Sequence, residues 1–205
     1  MLLIPRLSLT LRRFVQSHQG VVAVEFAMIL PILLLMFFAT LELATAFDCR
    51  TRVTDAAAST ADLIAQRSSV GATDLSNILC ATKAMIYPYP TSGAIKMVVT
   101  SIRCTSGSSS CSAAGVYWSG YTSNTAARTA VPATSALPLT IFPSSGAGVV
   151  MTELSYTYTP PLTNFLTGPI TMRWTAYAIP RSSGTAVGSS ASSTNFVIAD
   201  CSLAS

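Results

Sequence analysis

Hydrophobic positions along this chain fall into three patterns, and each predicts a different element. From Val21 to Phe47 the apolar residues are nearly continuous, interrupted only by Glu25, Thr40, Glu42 and Thr45. As a helix this stretch is about 40 Å long, more than the roughly 30 Å hydrocarbon core of a bilayer. The pattern then turns alanine-rich: "TRVTDAAASTADLIAQR" predicts that the helix continues to Arg67, with Val53, Ala57 and Ile64 on the face that packs against a sheet. A second short helix is expected with Thr73 as its cap, ending before "YPYP" (87–90), where the prolines stop it. Beyond it come runs rich in β-branched and aromatic residues. "AIKMVVTSIRC", "GVYWSGY", "VVMTELSYTYT" and "ITMRWTAYAI" read as strands. In the third, Leu154, Tyr156 and Tyr158 alternate with Glu153, Ser155 and Thr157, which predicts one face in the core and one wet. Segments 122–136 and 182–194 are rich in Ser, Thr, Ala and Gly and read as loops or a mobile tail. Strands after a long helix predict an α+β head with a small antiparallel sheet.

Charge adds a direction to this picture. The chain carries 12 Lys and Arg against 8 Asp and Glu. Arg6, Arg12 and Arg13 precede Gly20, where no acid stands, and the remaining basic residues are scattered among the acids. Phosphate neutralisation needs basic clusters, so a nucleic-acid partner is set aside. Basic residues before an apolar span favour the cytoplasmic side, which puts residues 48–205 outside. Glu25 and Glu42 are about 26 Å apart along a helix, so both carboxylates can approach an interface. Pro31 removes one backbone hydrogen bond and bends the helix, which membrane helices tolerate.

Other readings of this start remain open. A secretory signal peptide would use "ATA" (44–46) as its cleavage site. A lipoprotein reading of Cys49 lacks the small residues expected in "AFDC", and "LRRF" has the wrong spacing for a twin-arginine signal. A plain anchor explains the apolar run and leaves Glu25 unexplained.

Gly20 followed by "VVAVEF", with a glutamate five positions after the glycine and then a long apolar helix, is similar to the processing site of type IV prepilins. More closely, "AVEFAMILPILLLMFFATLEL" resembles the opening of TadE-like pseudopilins of the Tad (Flp) tight-adherence pilus system, and Glu42 fits that branch rather than the TadG-like one. The resemblance extends into "TDAAASTADLIAQ" (54–66) and, more weakly, to "VVMTELSYTYTPP" (149–161) and "ITMRWTAYAIPR" (170–181), while 70–148 carries none. It implies a pilin-like head and a non-enzymatic role in initiating or building a pilus for surface adherence. It implies a cytoplasmic leader (1–20), a transmembrane helix (21–47), a helix extension (48–67) and a periplasmic head (68–205) with a flexible C-terminal tail. A prepilin peptidase would cut between Gly20 and Val21, and Glu25 and Phe26 would serve assembly within the span that also holds Pro31 and Glu42. The partners implied are the bacterial inner membrane, crossed once, the peptidase, and other pilins and pseudopilins. The alternative is a secreted or anchored periplasmic binding module.

The physical case for Glu25 is explicit. Cutting exposes an amine on Val21 with an ordinary pKa near 8, cationic at neutral pH at the edge of a low-dielectric region. An isolated charge there costs several kcal/mol, and pairing lowers that cost. Glu25 can supply the counter-charge to its own Val21 or to a neighbouring subunit's; the bland alternative is a glutamate snorkelling to the interface.

Five cysteines lie outside the span, in a compartment that permits disulfides. Cys104 and Cys111 flank "TSGSSS" and form the first expected pair; Cys80 with Cys201 is a second, leaving Cys49 free. No paired CxxC spacing suggests a metal, and no cofactor or small-molecule substrate is expected. Catalysis is disfavoured: His18, the only histidine, would leave with the leader, and no nucleophile elbow, phosphate loop or dinucleotide fingerprint is present. Asp48, Asp55 and Asp62 share one helical stripe, expected to be a solvated face. Tyr156, Tyr158 and Trp174 could line a groove and are expected in the core.

Overall fold

One helix organises the whole molecule. The structure, a computed structural model, describes residues 18–107, 111–131, 137, 139–142, 144–160, 168–181, 186–189 and 195–201. The leader before His18 and parts of the two Ser/Thr-rich segments lie outside the described residues. Helix α1 (His18–Ala65) runs through Pro31 without interruption and is about 72 Å long at the usual rise. It stops two residues short of Arg67, where Arg67 N–H turns to the Ile64 carbonyl at 3.1 Å and tightens the last turn.

The four expected strands are present as β2 (Ile95–Ser106), β3 (Ala113–Thr122), β4 (Gly148–Tyr158) and β5 (Ile170–Ala178). Three further short strands were not expected: β1 (Ser69–Val70), β6 (Gly188–Ser189) and β7 (Asn195–Ile198). The main sheet has the order β5-β4-β2-β3-β7, and β1 pairs β6 in a separate ribbon. β5, β4, β2 and β3 are antiparallel neighbours, but β7 runs parallel to β3, with Gly120 opposite Phe196. The sheet is therefore mixed, and its last strand comes from the C-terminal stretch.

Side-chain alternation assigns the two faces. Across β2 and β4, Met97 opposes Leu154 and Ile95 opposes Tyr156, all buried towards α1, while Glu153, Ser155 and Thr157 point the other way and are half-buried. On α1 the residues that meet this face are Cys49, Val53, Ala56, Ala57, Thr60, Ala61, Ile64 and Ala65. Their spacing follows the helical period, and four alanines let the helix approach the sheet closely. The opposite face carries a smaller core of Ile102, Cys104, Cys111, Leu137, Phe142, Val149 and Met151.

Helix α2 (Ala72–Met85) starts at Gly71, whose N–H donates to the Asp74 carboxylate at 3.0 Å. The cap expected at Thr73 is thus displaced towards the N-terminus. β1 ends at Val70, leaving no slack, and Asp74 satisfies the exposed N–H from inside the first turn. The segment 186–189 crosses the sheet near α1, where the Val187 carbonyl accepts from Trp118 Nε1 at 2.7 Å and from Ser101 Oγ at 3.0 Å. Gly148 permits that crossing: a Cβ there would lie 2.2 Å from the Ala186 Cα.

Candidate functional site

The lower half of α1 has no cover from the rest of the described chain: every residue from Val21 to Leu41 is exposed. Glu25 and Phe26 lie in this bare stretch, with Pro31 further along and Gly20 one residue before it within the helix. Apolar side chains on every face of a helix require a non-aqueous surrounding or other helices. The stretch is long and apolar enough to cross a membrane.

Cover begins abruptly at Glu42, which is only 7% exposed. The expectation of a carboxylate near water at the outer interface is corrected here, because the head reaches down the helix to this level. A polar network fastens the junction. Thr45 Oγ1 donates to the Glu42 carbonyl at 2.9 Å and lies 3.0 Å from the Tyr158 hydroxyl. Tyr89 stacks edge-on against Tyr158, and its hydroxyl lies 2.9 Å from the Thr45 carbonyl and 2.8 Å from Asp48. Arg52 then bridges Asp48 at 2.8 Å and the Tyr87 carbonyl at 2.8 Å. The Arg52 guanidinium, and after it the Tyr89 hydroxyl, hold the Asp48 carboxyl below its ordinary range.

The aspartate stripe is consequently more than a solvated face. Asp48 ties the helix to the 87–89 turn, and Asp62 pairs with Arg181 at 2.5 Å, near where Arg181 N–H donates to the Ala65 carbonyl at 2.8 Å. Asp62 is held low by Gln66 first and Arg181 second. Asp55, between them, is exposed.

Of the three aromatic residues singled out in the sequence, Tyr156 and Tyr158 are core, and burial pushes the Tyr156 hydroxyl up to about 12. Trp174 is half-exposed on edge strand β5. Cys80 and Cys201 sulfurs are 2.00 Å apart and those of Cys104 and Cys111 2.19 Å. Cys49 is a free, fully buried thiol, pushed up to about 11 chiefly by burial. The sequence reading tied the C-terminus through Cys80 and Cys201 but missed the polar contacts beside that pair. Buried Lys83 pairs with Asp200 and donates to the Cys201 carbonyl at 2.7 Å, and Ser76 donates to the Ala199 carbonyl at 3.1 Å. After the segment 182–194, residues 195–201 form a strand and a clasp on α2. Lys83 among the buried positions of α2 was the signal in the sequence for these contacts.

An α+β head is folded onto the upper half of an apolar helix whose bare lower half is, by length and composition, compatible with a single-pass membrane anchor. The family model described as TadE-like protein matches residues 20–62, so the chain is similar to that family along this helix, from Gly20 through the stripe under the head. No curated protein and no solved structure matches the chain.

Proposed function

We propose that this chain is a non-enzymatic pseudopilin, cut by a prepilin peptidase between Gly20 and Val21, that takes part in initiating or building a Tad/Flp-type pilus for surface adherence. The observation that carries the reading is the TadE-like match beginning at Gly20, on a helix whose first part is apolar and bare. Such a surface suits two successive surroundings, lipid before assembly and neighbouring helices after it.

In this reading the N-terminus is cytoplasmic, residues 48–205 are periplasmic, and the partners are the inner membrane, the peptidase and other pilins. Glu25 stands one helical turn after Val21, and helical side chains lean towards the N-terminus. Its carboxylate can therefore reach the new Val21 ammonium of its own chain, or that of a neighbour when subunits stack. Without that partner the ammonium enters a packed helical core with an uncompensated desolvation cost of several kcal/mol.

The alternative of a signal peptide cut at residues 44–46 is disfavoured by the contacts of that segment: Thr45 bonds Tyr158, and Ala46 packs against the head core. The test is N-terminal sequencing of the mature protein, expected to read from Val21, together with Glu25→Gln and Gly20→Leu. Gly20→Leu blocks cleavage. Glu25→Gln is cleaved normally, accumulates in the membrane and lowers piliation by electron microscopy. Normal piliation with Glu25→Gln, or a mature start at Met1 or Phe47, overturns the reading.

A further inference from the structure

The sheet face turned away from α1 carries a second surface, and strand register decides what stands on it. Lys96 of β2 pairs with Ser155 of β4, and Ser155 pairs with Arg173 of β5. Their neighbours Met97 and Leu154 are buried towards α1, so by strand alternation Lys96, Ser155 and Arg173 share the opposite face. Neighbouring strands lie about 4.8 Å apart, which sets the two cationic residues about 10 Å from each other at the backbone, with Ser155 between them. One step along the same face, Val98 pairs with Glu153 and Glu153 with Thr175. These two rows are the floor of a groove of about 620 Å³, and residues 124–130 form its wall.

The wall is fastened at both ends. Thr122 Oγ1 donates to Asn124 Oδ1 at 2.7 Å, and Asn124 Nδ2 donates to the Ile95 carbonyl at 3.0 Å. Further along, Arg128 N–H donates to Ser119 Oγ at 3.0 Å, and its guanidinium takes both oxygens of Glu153, Nε to Oε2 at 2.8 Å and Nη2 to Oε1. Glu153 is the only acid among the described residues that line the groove, and this bidentate pairing neutralises it. Lys96 and Arg173 are in no ion pair among the described residues. The groove is thus preformed and hydrophilic, with two uncompensated cations on its floor.

We propose that this groove binds an acidic polysaccharide, a chain of uronate-type sugars whose carboxylates meet Lys96 and Arg173 while ring hydroxyls meet the wall. Two cations about 10 Å apart suit repeated carboxylates on one chain better than a single small anion. Thr125, Thr129, Ser155 and Thr175 line the groove, and their hydroxyls both donate and accept, as sugar hydroxyls require. An extended peptide is less suited, because β2 and β4 are paired on both sides and the floor offers it no free strand edge. Lipid phosphate is out of reach where α1 spans a bilayer. Ile170 pairs with Tyr158, whose hydroxyl lies 3.0 Å from Thr45 Oγ1, and Arg173 stands about 10 Å further along the strand. Thr45 is itself about 6 Å past Leu41, so the cationic row lies about 16 Å past Leu41, beyond a headgroup layer of roughly 5–7 Å. The proposal goes beyond the pseudopilin reading and needs neither cleavage at Gly20 nor assembly.

The test is a calorimetric titration of the full chain, held in zwitterionic phosphatidylcholine nanodiscs, with tetragalacturonate. Maltotetraose serves as the neutral sugar, tetraglutamate as the acidic peptide and inorganic phosphate as the small ion. Tetragalacturonate is expected to bind about ten-fold or more tightly than each of the other three, and added salt to weaken it. Lys96→Gln with Arg173→Gln lowers its affinity about ten-fold or more and, both side chains being exposed, leaves the melting curve in place. Arg50→Gln with Arg103→Gln removes the same charge from exposed positions that do not line the groove and leaves binding unchanged. Tetraglutamate bound as tightly assigns the groove to peptide and overturns the proposal, and phosphate or maltotetraose bound as tightly overturns it too. An equal loss in the two double variants reduces the effect to net charge. Absence of tetragalacturonate binding removes the site while leaving processing at Gly20 and the pilus reading standing.

Discussion

The two halves of α1 are one continuous helix built for opposite surroundings. From Val21 to Leu41 large aliphatic and aromatic side chains point in every direction and none is covered. From Glu42 to Ala65 the buried positions follow one side of the helix, with alanine at four of the nine, and the exposed remainder mixes polar residues with Leu43, Phe47 and Leu63. The first half is chosen for bulk and hydropathy, because its surroundings are mobile and need no fixed shape. The second is chosen for smallness on one side, because a sheet has to come within van der Waals contact of the backbone. Helicity is common to both; the identity of the covering phase separates them.

The comparison can be broken first at the far end of the chain. Cys80→Ser with Cys201→Ser removes a closure of 121 residues, expected to cost about 4–5 kcal/mol in the chain-entropy picture. The 7-residue Cys104–Cys111 closure is expected to contribute about 2–3 kcal/mol. Thermal melting of the two double mutants checks the order, and equal effects would mean that the C-terminal clasp adds nothing to holding α2 and β7 on the head.

A sharper test compares the halves directly. Ile64→Ala in the covered stripe is expected to cost about 2–5 kcal/mol by cavity formation, whereas Leu33→Ala, bare in the chain, leaves the head's denaturant midpoint where it was. A similar loss from both would show that the bare half packs on the head after all.

The two glutamates form the third contrast. Glu42→Gln disturbs a buried carboxylate and is expected to lower head stability by about 1–3 kcal/mol. Glu25→Gln does not touch the head and is expected to leave its melting curve unchanged; in the proposed function its effect falls on pilus formation. If Glu25→Gln shifts the melting curve and Glu42→Gln does not, the assignment of the two residues to different halves fails.

The smallest effects are those of pH. Asp48, Asp62 and Asp200 all have folded pKa values below the ordinary one, held there by Arg52, by Gln66 with Arg181, and by Lys83. A depressed acid stabilises the folded state above its unfolded pKa of about 3.9 and loses that contribution as pH falls through the folded value. The head should therefore lose stability in the acid range below about pH 4, and Asp62→Asn should flatten that limb of a pH–stability profile. Cys49 works in the opposite direction. With its folded pKa raised to about 11, its contribution is complete below the unfolded pKa of about 8.5–9 and is lost as pH rises towards the folded value. Cys49→Ala should remove an alkaline limb, and the wild-type thiol should react slowly with thiol reagents at neutral pH.

Much of this molecule is legible in the amino-acid order alone. Near-neighbour patterns determined the bare helix, its alanine stripe, the second helix ended by prolines, and the four main strands with the correct inward face on β4, because helix and strand periods are local properties of the backbone. Glu25 stood out as a charge at the head of the apolar run five residues after Gly20, and the roles expected of both came from the resemblance to a prepilin processing site. What the sequence could not fix is every relation between segments far apart in it. β7 joins β3 in parallel across more than seventy residues of chain, and a four-residue strand has too little pattern to announce that pairing. Lys83 is buried only because Asp200 and the Cys201 carbonyl return to meet it. Glu42 changes from an interfacial residue to a covered one because the rest of the fold closes over it. In each case the deciding energy is desolvation, which depends on what arrives from elsewhere in the fold and is settled only when the tertiary structure closes over the residue.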